Sequence, residues 1–407
     1  MAKHVTFPDS ASETKVASES RPLPAAADIQ PKATARLYFI DNIRVYLTIL
    51  VLAHHMMITY AGTGMWYYNE GRQDGITRML GAWFCGTNQA YFMGFFLLIS
   101  AYFVPGSYDR KGAGHFLKDR MIRLGIPLIL FSWVINPIFV YAFFYQDIRM
   151  PFWQYFPGKY FHHSPVIGAG PLWFVEALLI FSLVYMLWRF LNRPRPADPV
   201  AESRFPGNSI IALFALLLGI AGFIVRLWHP VGWNFIPLNF QFPFFAQYVA
   251  LFVVGLIAYR RNWLLALPDK TGRFWSGIAI LLYLLWLPLV VIGGATTDHT
   301  PFMGGRHWQS FIYALWESFL CLSMCIGLIY VFRRFLNSQG RLMKFLVPNA
   351  YTVYIIHAPV ITVLAFSVRD VTLFPLLKWA VLSMVAVPIC FALSALIRKL
   401  PYTDRVL

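Results

Sequence analysis

Arg44 and His55 stand eleven residues apart in the stretch Tyr38-Phe39-Ile40-Asp41-Asn42-Ile43-Arg44, which continues to His54-His55. At about 100° per residue, that spacing is about 20° past three helical turns, so a guanidinium and an imidazole share one face roughly 16 Å apart along the axis. Asp41 lies one turn before Arg44 and can pair with it. An imidazole on that stripe can take a proton from a hydroxyl or carry a group covalently, and a guanidinium can hold an anion. The plain alternative is an interfacial salt bridge plus a core histidine bonded to a backbone carbonyl. His54, about 100° round the helix from His55, reads as a packing residue.

Further along, Arg120-Met121-Ile122-Arg123 sets two guanidiniums one turn apart, each with the planar fork of donors that suits phosphate. Anchoring at a membrane boundary is the ordinary role for such a pair. His357 lies eight residues into a stretch beginning at Asn349, roughly 12 Å deep if helical. Glu176 follows Pro171-Leu172-Trp173-Phe174, and Glu317 falls near the middle of another apolar stretch. A carboxylate buried there must be paired or protonated, with His55, His357 and the arginines as possible partners.

The elements that position these groups follow from composition. Of 407 residues, 58% are hydrophobic, 18% aromatic and 13% charged, about half the charged fraction of a soluble domain. The expected architecture is all-α and polytopic in a membrane. About ten apolar stretches approach the roughly 20 residues a spanning helix needs, near 39–60, 84–104, 124–146, 171–191, 209–228, 243–260, 273–293, 309–332, 349–367 and 373–397. Such continuous runs exclude a membrane β-barrel, whose strands alternate. Residues 1–36, rich in Ser, Ala, Pro and charge, read as a disordered cytoplasmic tail; 37–400 read as the transmembrane domain and 401–407 as a short cytoplasmic tail.

The net charge of +16 resolves along the same division. With the N-terminus inside, the outer segments hold only Arg72, Arg78, Arg149, Lys159, Arg226, Arg306, Arg369 and Lys378, Arg44 lies within the first helix, and the other 25 of the 34 basic residues fall inside. That asymmetry predicts cytoplasmic termini in an inner membrane and makes nucleic acid an unneeded partner. Cys85, Cys321, Cys325 and Cys390 read as packing residues, and no Cys/His spacing suggests a metal. The outer loops carry Trp66, Tyr67, Tyr68, Trp153, Tyr155, Tyr160, Trp228, Trp233 and Trp308, with His162, His163, His229, His299 and His307. Such rings suit sugar faces, but an interfacial aromatic belt should claim most of them.

Taken together, Asp41-x-x-Arg44 with His55, Phe95-Phe96-Leu97-Leu98-Ile99-Ser100-Ala101-Tyr102, Arg120-x-x-Arg123, Leu172-Trp173-Phe174 and Tyr354-Ile355-Ile356-His357-Ala358-Pro359 resemble the acyltransferase-3 family of membrane O-acyltransferases. Among its subgroups the chain is most similar to the stand-alone type that includes the succinyltransferase of periplasmic glucans. Two positions depart from the common pattern: Ala101 where Gly is frequent, and Pro171 where that subgroup often has His.

The resemblance implies an acyl-CoA donor on the cytoplasmic side, no permanently bound cofactor, and an acceptor hydroxyl on an envelope glycan, glycolipid or small molecule. In that scheme His55, Glu176 and Asp41 are the catalytic candidates, while Arg44, Arg120, Arg123 and His357 are candidates for holding the donor. His55 acts as general base or, alternatively, as a covalent acyl carrier, and Glu176 orients His55 or binds the acceptor. A proton-coupled transporter or flippase is the competing class, since buried His and Glu can relay protons. It does not account for an Arg44-to-His55 stripe joined to an arginine pair.

Overall fold

The computed structural model describes residues 1, 36–71, 74–144, 150–160, 168–192, 204–235 and 238–407. The tail expected at 1–36 falls almost entirely outside them, as do His162 and His163. Residues Tyr38–Leu407 form one compact unit. Among the described residues it is helical, with a single isolated bridge between Phe235 and Phe240.

Nine helices among the described residues are long and apolar enough to cross a membrane. We label α1 Tyr38–Ala61, α2 Gly75–Gln89, α3 Phe92–Tyr102, α4 Val104–Phe143, α5 Trp173–Leu191, α6 Asn208–Arg226, α7 Phe245–Arg260, α8 Asp269–Ile292, α9 Trp308–Phe335, α10 Arg341–Ser367 and α11 Pro375–Ile397. The span expected near 84–104 is the exception to the sequence count of about ten. It is broken at Ala90-Tyr91 into α2 and α3, each too short alone. The Ala90 carbonyl freed at the break is met from a neighbouring helix, as it must be away from water, by Gln247 Nε2 donating at 2.8 Å, while the Tyr91 and Tyr46 side-chain hydroxyls bond at 2.9 Å.

The third expected span, 124–146, is part of a 40-residue helical run that bends at Gly112, where φ is +70°, a conformation glycine adopts without steric cost. It contains two wide π-turns, Met121–Gly125 and Phe131–Ile135. Each ends two residues before a proline, Pro127 and Pro137. A proline lacks the N–H for the regular i→i−4 bond and crowds that carbonyl, so the preceding turn widens. Arg123 therefore sits in a π-turn, where the regular 100° spacing from Arg120 no longer holds.

α1 and α9 are the most buried spans and α8 the least. Exposed side chains such as Ile280, Leu284 and Leu285 on α8 form an apolar outer face suited to lipid. α1 packs against α10, α11, α2 and α9. Its first turn is pinned by Phe39 N–H donating to Asn337 Oδ1 at 3.1 Å and by Asn42 Nδ2 donating to the Leu336 and Ser338 carbonyls at 2.7 and 3.0 Å. Because these acceptors lie just before α10, α1 and α10 start at the same end and run side by side in one direction.

Ala101, one of the two departures from the family pattern, faces Gly255 on α7. A Cβ built on Gly255 would stand 2.7 Å from the Ala101 Cβ and 2.3 Å from the Leu98 carbonyl oxygen. α3 and α7 thus touch closely at Ala101 and Gly255, in keeping with close packing through small side chains in membranes.

Two basic residues assigned by sequence to outer loops lie inside the protein. Arg226 is fully buried and donates to Glu317 Oε2, with the guanidinium 4.7 Å from the Tyr313 ring centre. Lys378, 1% exposed, donates to Glu70 Oε2 at 2.6 Å and to the Val371 carbonyl at 3.0 Å. Both charges lie at helix ends where a count along the chain assigns them to loops, but tertiary contact supplies each with a carboxylate. Glu317 thus finds its partner among the arginines, in Arg226, which the charge count along the chain assigns to an outer segment.

Candidate active site

His55 of α1 and His357 of α10 meet. His55 Nδ1 lies 3.1 Å from His357 Nε2, and the rings stack with centres 5.0 Å apart and planes 19° from parallel. His357 Nδ1 in turn lies 2.5 Å from the Tyr354 carbonyl oxygen, one turn earlier on the same helix.

This geometry fixes the tautomers when each ring carries one N–H. A carbonyl only accepts, so His357 Nδ1–H donates to Tyr354 and His357 Nε2 is bare. His55 Nδ1–H must then donate to His357 Nε2, leaving His55 Nε2 as a lone-pair nitrogen. The pair is a held imidazole whose free edge can accept a proton, the arrangement in which an orienting group fixes a base. His357 is buried and His55 half-buried. His357, placed with the donor-holding residues on sequence, stands at the level of His55 because α1 and α10 run in the same direction.

A third ring completes the stack. Trp66, in the loop after α1, lies 4.1 Å from His55 centre to centre and 13° from parallel. It is 5% exposed, so this tryptophan is part of the site and not of an aromatic belt. Its neighbours Tyr67 and Tyr160 are buried as well, whereas Trp153, Trp228 and Trp308 are exposed as belt residues would be. Nothing in the local pattern around Trp66 marks it, since only the fold of the loop carries it back to His55. His54 packs its ring 4.8 Å from Phe92.

The N-terminal end of α5 closes another side. Tyr354 donates its hydroxyl to the Pro171 carbonyl at 2.7 Å, and Phe174 packs against Tyr354 and Phe96. Pro171 thus contributes a carbonyl acceptor to the Tyr354 hydroxyl. Glu176 lies two residues past Phe174, about 200° round the helix, and so on the opposite side of α5 from the face touching Tyr354. Among the described residues its Oε2 is buried without a hydrogen-bond partner. The group that bonds His55 Nδ1 is His357, not Glu176.

At the other end of α1 the arginines gather. Asp41 and Arg44 pair at 3.5 Å, and Arg44 lies 4.6 Å above the Phe103 ring. Arg120 is half-buried over Phe116, within electrostatic reach of Arg123, Asp119, Arg44 and Tyr351. Tyr351 donates its hydroxyl to the Arg123 carbonyl at 2.6 Å, tying α10 to the π-turn. Three guanidiniums drawn from two separate segments of chain converge with two carboxylates, Asp41 and Asp119, and the remaining positive charge suits a polyanion. The tail expected at 401–407 contributes a short helix, Thr403–Val406, that packs on the same π-turn. Six residues of α10 separate Tyr351 from His357, and eleven of α1 separate Arg44 from His55. The arginine cluster and the histidine pair are therefore two stations roughly 9 to 16 Å apart along two parallel helices.

Cys85, Cys321, Cys325 and Cys390 are buried free thiols. No group of His, Cys, Asp or Glu among the described residues has the geometry to hold a metal.

Comparison with known proteins agrees with the motif set. The acyltransferase domain family called acyltransferase-3 matches residues 37–395. Glucans biosynthesis protein C of Escherichia coli O1:K1 is 23% identical over 354 residues, covering 81% of this chain and 83% of that protein. The protein of the same name from Salmonella typhi is 23% identical over 347 residues, 80% and 82% of the two chains. No solved structure matches the chain. With a match that spans every motif from Asp41 to His357, the chain belongs to the acyltransferase-3 family and is a multi-pass membrane O-acyltransferase.

Proposed function

We propose that this protein transfers an acyl group from acyl-CoA, held at the arginine end, to a hydroxyl of an envelope glycan that reaches His55 from the opposite end. The single observation that carries the reading is the His55 Nδ1 to His357 Nε2 hydrogen bond of 3.1 Å, which leaves His55 Nε2 free as a general base. The acceptor oxygen attacks the thioester carbonyl carbon as its proton passes to His55 Nε2. Collapse of the tetrahedral adduct breaks the C–S bond, and the same proton returns to the CoA sulfur. Arg44, Arg120 and Arg123 hold the CoA phosphates, and an extended pantetheine arm, on the order of 15 to 20 Å, matches the roughly 16 Å rise from Arg44 to His55. The excess of basic residues at the arginine end supports a cytoplasmic donor, inner-membrane placement and inward termini. Because the similar proteins are named for glucan biosynthesis, a glucan is the first acceptor to test.

The test uses purified protein in detergent with succinyl-CoA or acetyl-CoA and a gluco-oligosaccharide, reading release of the CoA thiol and the mass of the acylated sugar. His55→Gln should abolish transfer while CoA still raises the thermal midpoint, as a ligand of the folded state does. Transfer at the parent rate in that variant would overturn the assignment. The general-base route also predicts no acylated protein after quenching with labelled donor alone.

A further inference from the structure

Trp66 carries a second polar edge on the ring stacked against His55. Its indole Nε1–H is a donor with no acceptor capacity, and among the described residues Nε1 is buried without a hydrogen-bond partner. Buried indoles normally find one: the buried Trp275 and Trp316 donate to Asn208 and Leu282, the half-buried Trp83 and Trp379 to Tyr283 and Ala53, and only Trp263 shares the unmet state among the described residues. An unmet donor stacked on a catalytic imidazole is a costly arrangement unless a ligand supplies the acceptor.

The loop bearing Trp66 is held rigidly. Next to it, Tyr67 donates its hydroxyl to Asn136 Oδ1, whose amide donates to the Tyr160 hydroxyl at 2.7 Å and the Gly168 carbonyl at 3.1 Å. Four residues on, Glu70 N–H donates to the Thr59 carbonyl at 2.9 Å, and its carboxylate accepts from buried Lys378. A donor held by anchors at Tyr67 and Glu70 has little need to reorganise when charge develops nearby, the condition under which one hydrogen bond contributes most to catalysis.

We infer that the Trp66 Nε1–H is the oxyanion donor of this acyltransferase. The inference rests on His55 as the base. The acceptor oxygen at the His55 Nε2 edge lies in one layer of the stack, and the thioester oxygen that becomes negative when the tetrahedral adduct forms meets the indole edge in the next. Trp66 takes no proton and makes no covalent bond. It donates a hydrogen bond that strengthens as the C=O becomes C–O⁻ and weakens when the C–S bond breaks.

The test compares Trp66→Phe, which keeps a ring on His55 and deletes the N–H, with His55→Gln and the parent, using succinyl-CoA and a gluco-oligosaccharide. Trp66→Phe should lower kcat on the order of 100-fold, with the donor KM, the thermal shift given by CoA and the pH midpoint of kcat/KM unchanged. Trp66→His, which restores a ring N–H, should recover at least about tenfold over Trp66→Phe. A Trp66→Phe kcat within twofold of the parent overturns the inference. So does a raised KM at parent kcat, which makes the ring a binding platform, or a shifted pH midpoint at full plateau rate, which makes it a modulator of His55. If His55→Gln is inactive while Trp66→Phe is fully active, only the Trp66 assignment falls; if His55→Gln is active, the base assignment falls.

Discussion

His357 Nε2 stands 3.1 Å from His55 Nδ1 although 302 residues separate them in the chain. Two membrane spans running in the same direction bring them level, and the Tyr354 carbonyl sets the direction of the whole hydrogen-bond chain. When each ring carries one N–H, the nitrogen left with a free lone pair is thereby His55 Nε2, one atom of four ring nitrogens.

Removing the orienting ring should slow the reaction less than removing the base. His357→Ala is expected to lower kcat about 10- to 100-fold, against a loss of roughly 10²- to 10⁴-fold for the base itself. Because the two rings act as a unit, the double variant should be no slower than His55→Gln alone. Steady-state kcat in the three variants checks this; parent kcat in His357→Ala would show that the pairing has no part in turnover.

The arginine cluster should control the donor and leave chemistry largely alone. Arg120→Ala and Arg44→Ala should each weaken CoA binding by about 1.5 to 3 kcal/mol, the range for hydrogen bonds to charged groups, or roughly 10- to 150-fold. Arg120→Lys should recover only part, because an ammonium lacks the guanidinium's fork. Titration calorimetry with CoA reads the effect, and unaltered affinity in Arg120→Ala/Arg123→Ala would reduce the cluster to a membrane anchor.

The buried pair of Arg226 and Glu317 belongs to stability. Glu317→Ala strands a fully buried guanidinium and should destabilise the protein by about 3 to 5 kcal/mol. The double replacement Arg226→Met/Glu317→Leu removes both charges and should restore most of the thermal midpoint. A double variant as unstable as Glu317→Ala would contradict this account.

At the contact of α3 and α7, Gly255→Leu should lower the thermal midpoint sharply, since its Cβ alone would lie 2.3 Å from the Leu98 carbonyl oxygen. Overpacking of this kind costs about 1 to 3 kcal/mol or more. Ala101→Gly, which only loosens the same contact, should be milder. Thermal denaturation of the two variants in one detergent decides the order.

The long apolar runs determined by themselves that this chain is helical and crosses a membrane many times, because lipid leaves the backbone no partner but its own helix. Local spacing likewise determined that Asp41 can reach Arg44 and that Arg44 and His55 share a stripe, since a helix fixes neighbours within a few turns. What spacing along the chain does not encode is contact between helices. The carbonyl freed by the split at Ala90-Tyr91 is met by Gln247, and the burial of Arg226 and Lys378 depends on Glu317 and Glu70. Glu176, a reasonable partner for His55 by depth alone, lies round the far side of α5. Trp66 comes from a loop that sequence assigns to the membrane surface, and its place on His55 is set by bonds to residues from Asn136 to Lys378. The sequence therefore carries the chemistry of the imidazole and the guanidiniums. The tertiary structure decides which nitrogen is free and what stands beside it, because these are properties of packed neighbours and not of helical periodicity.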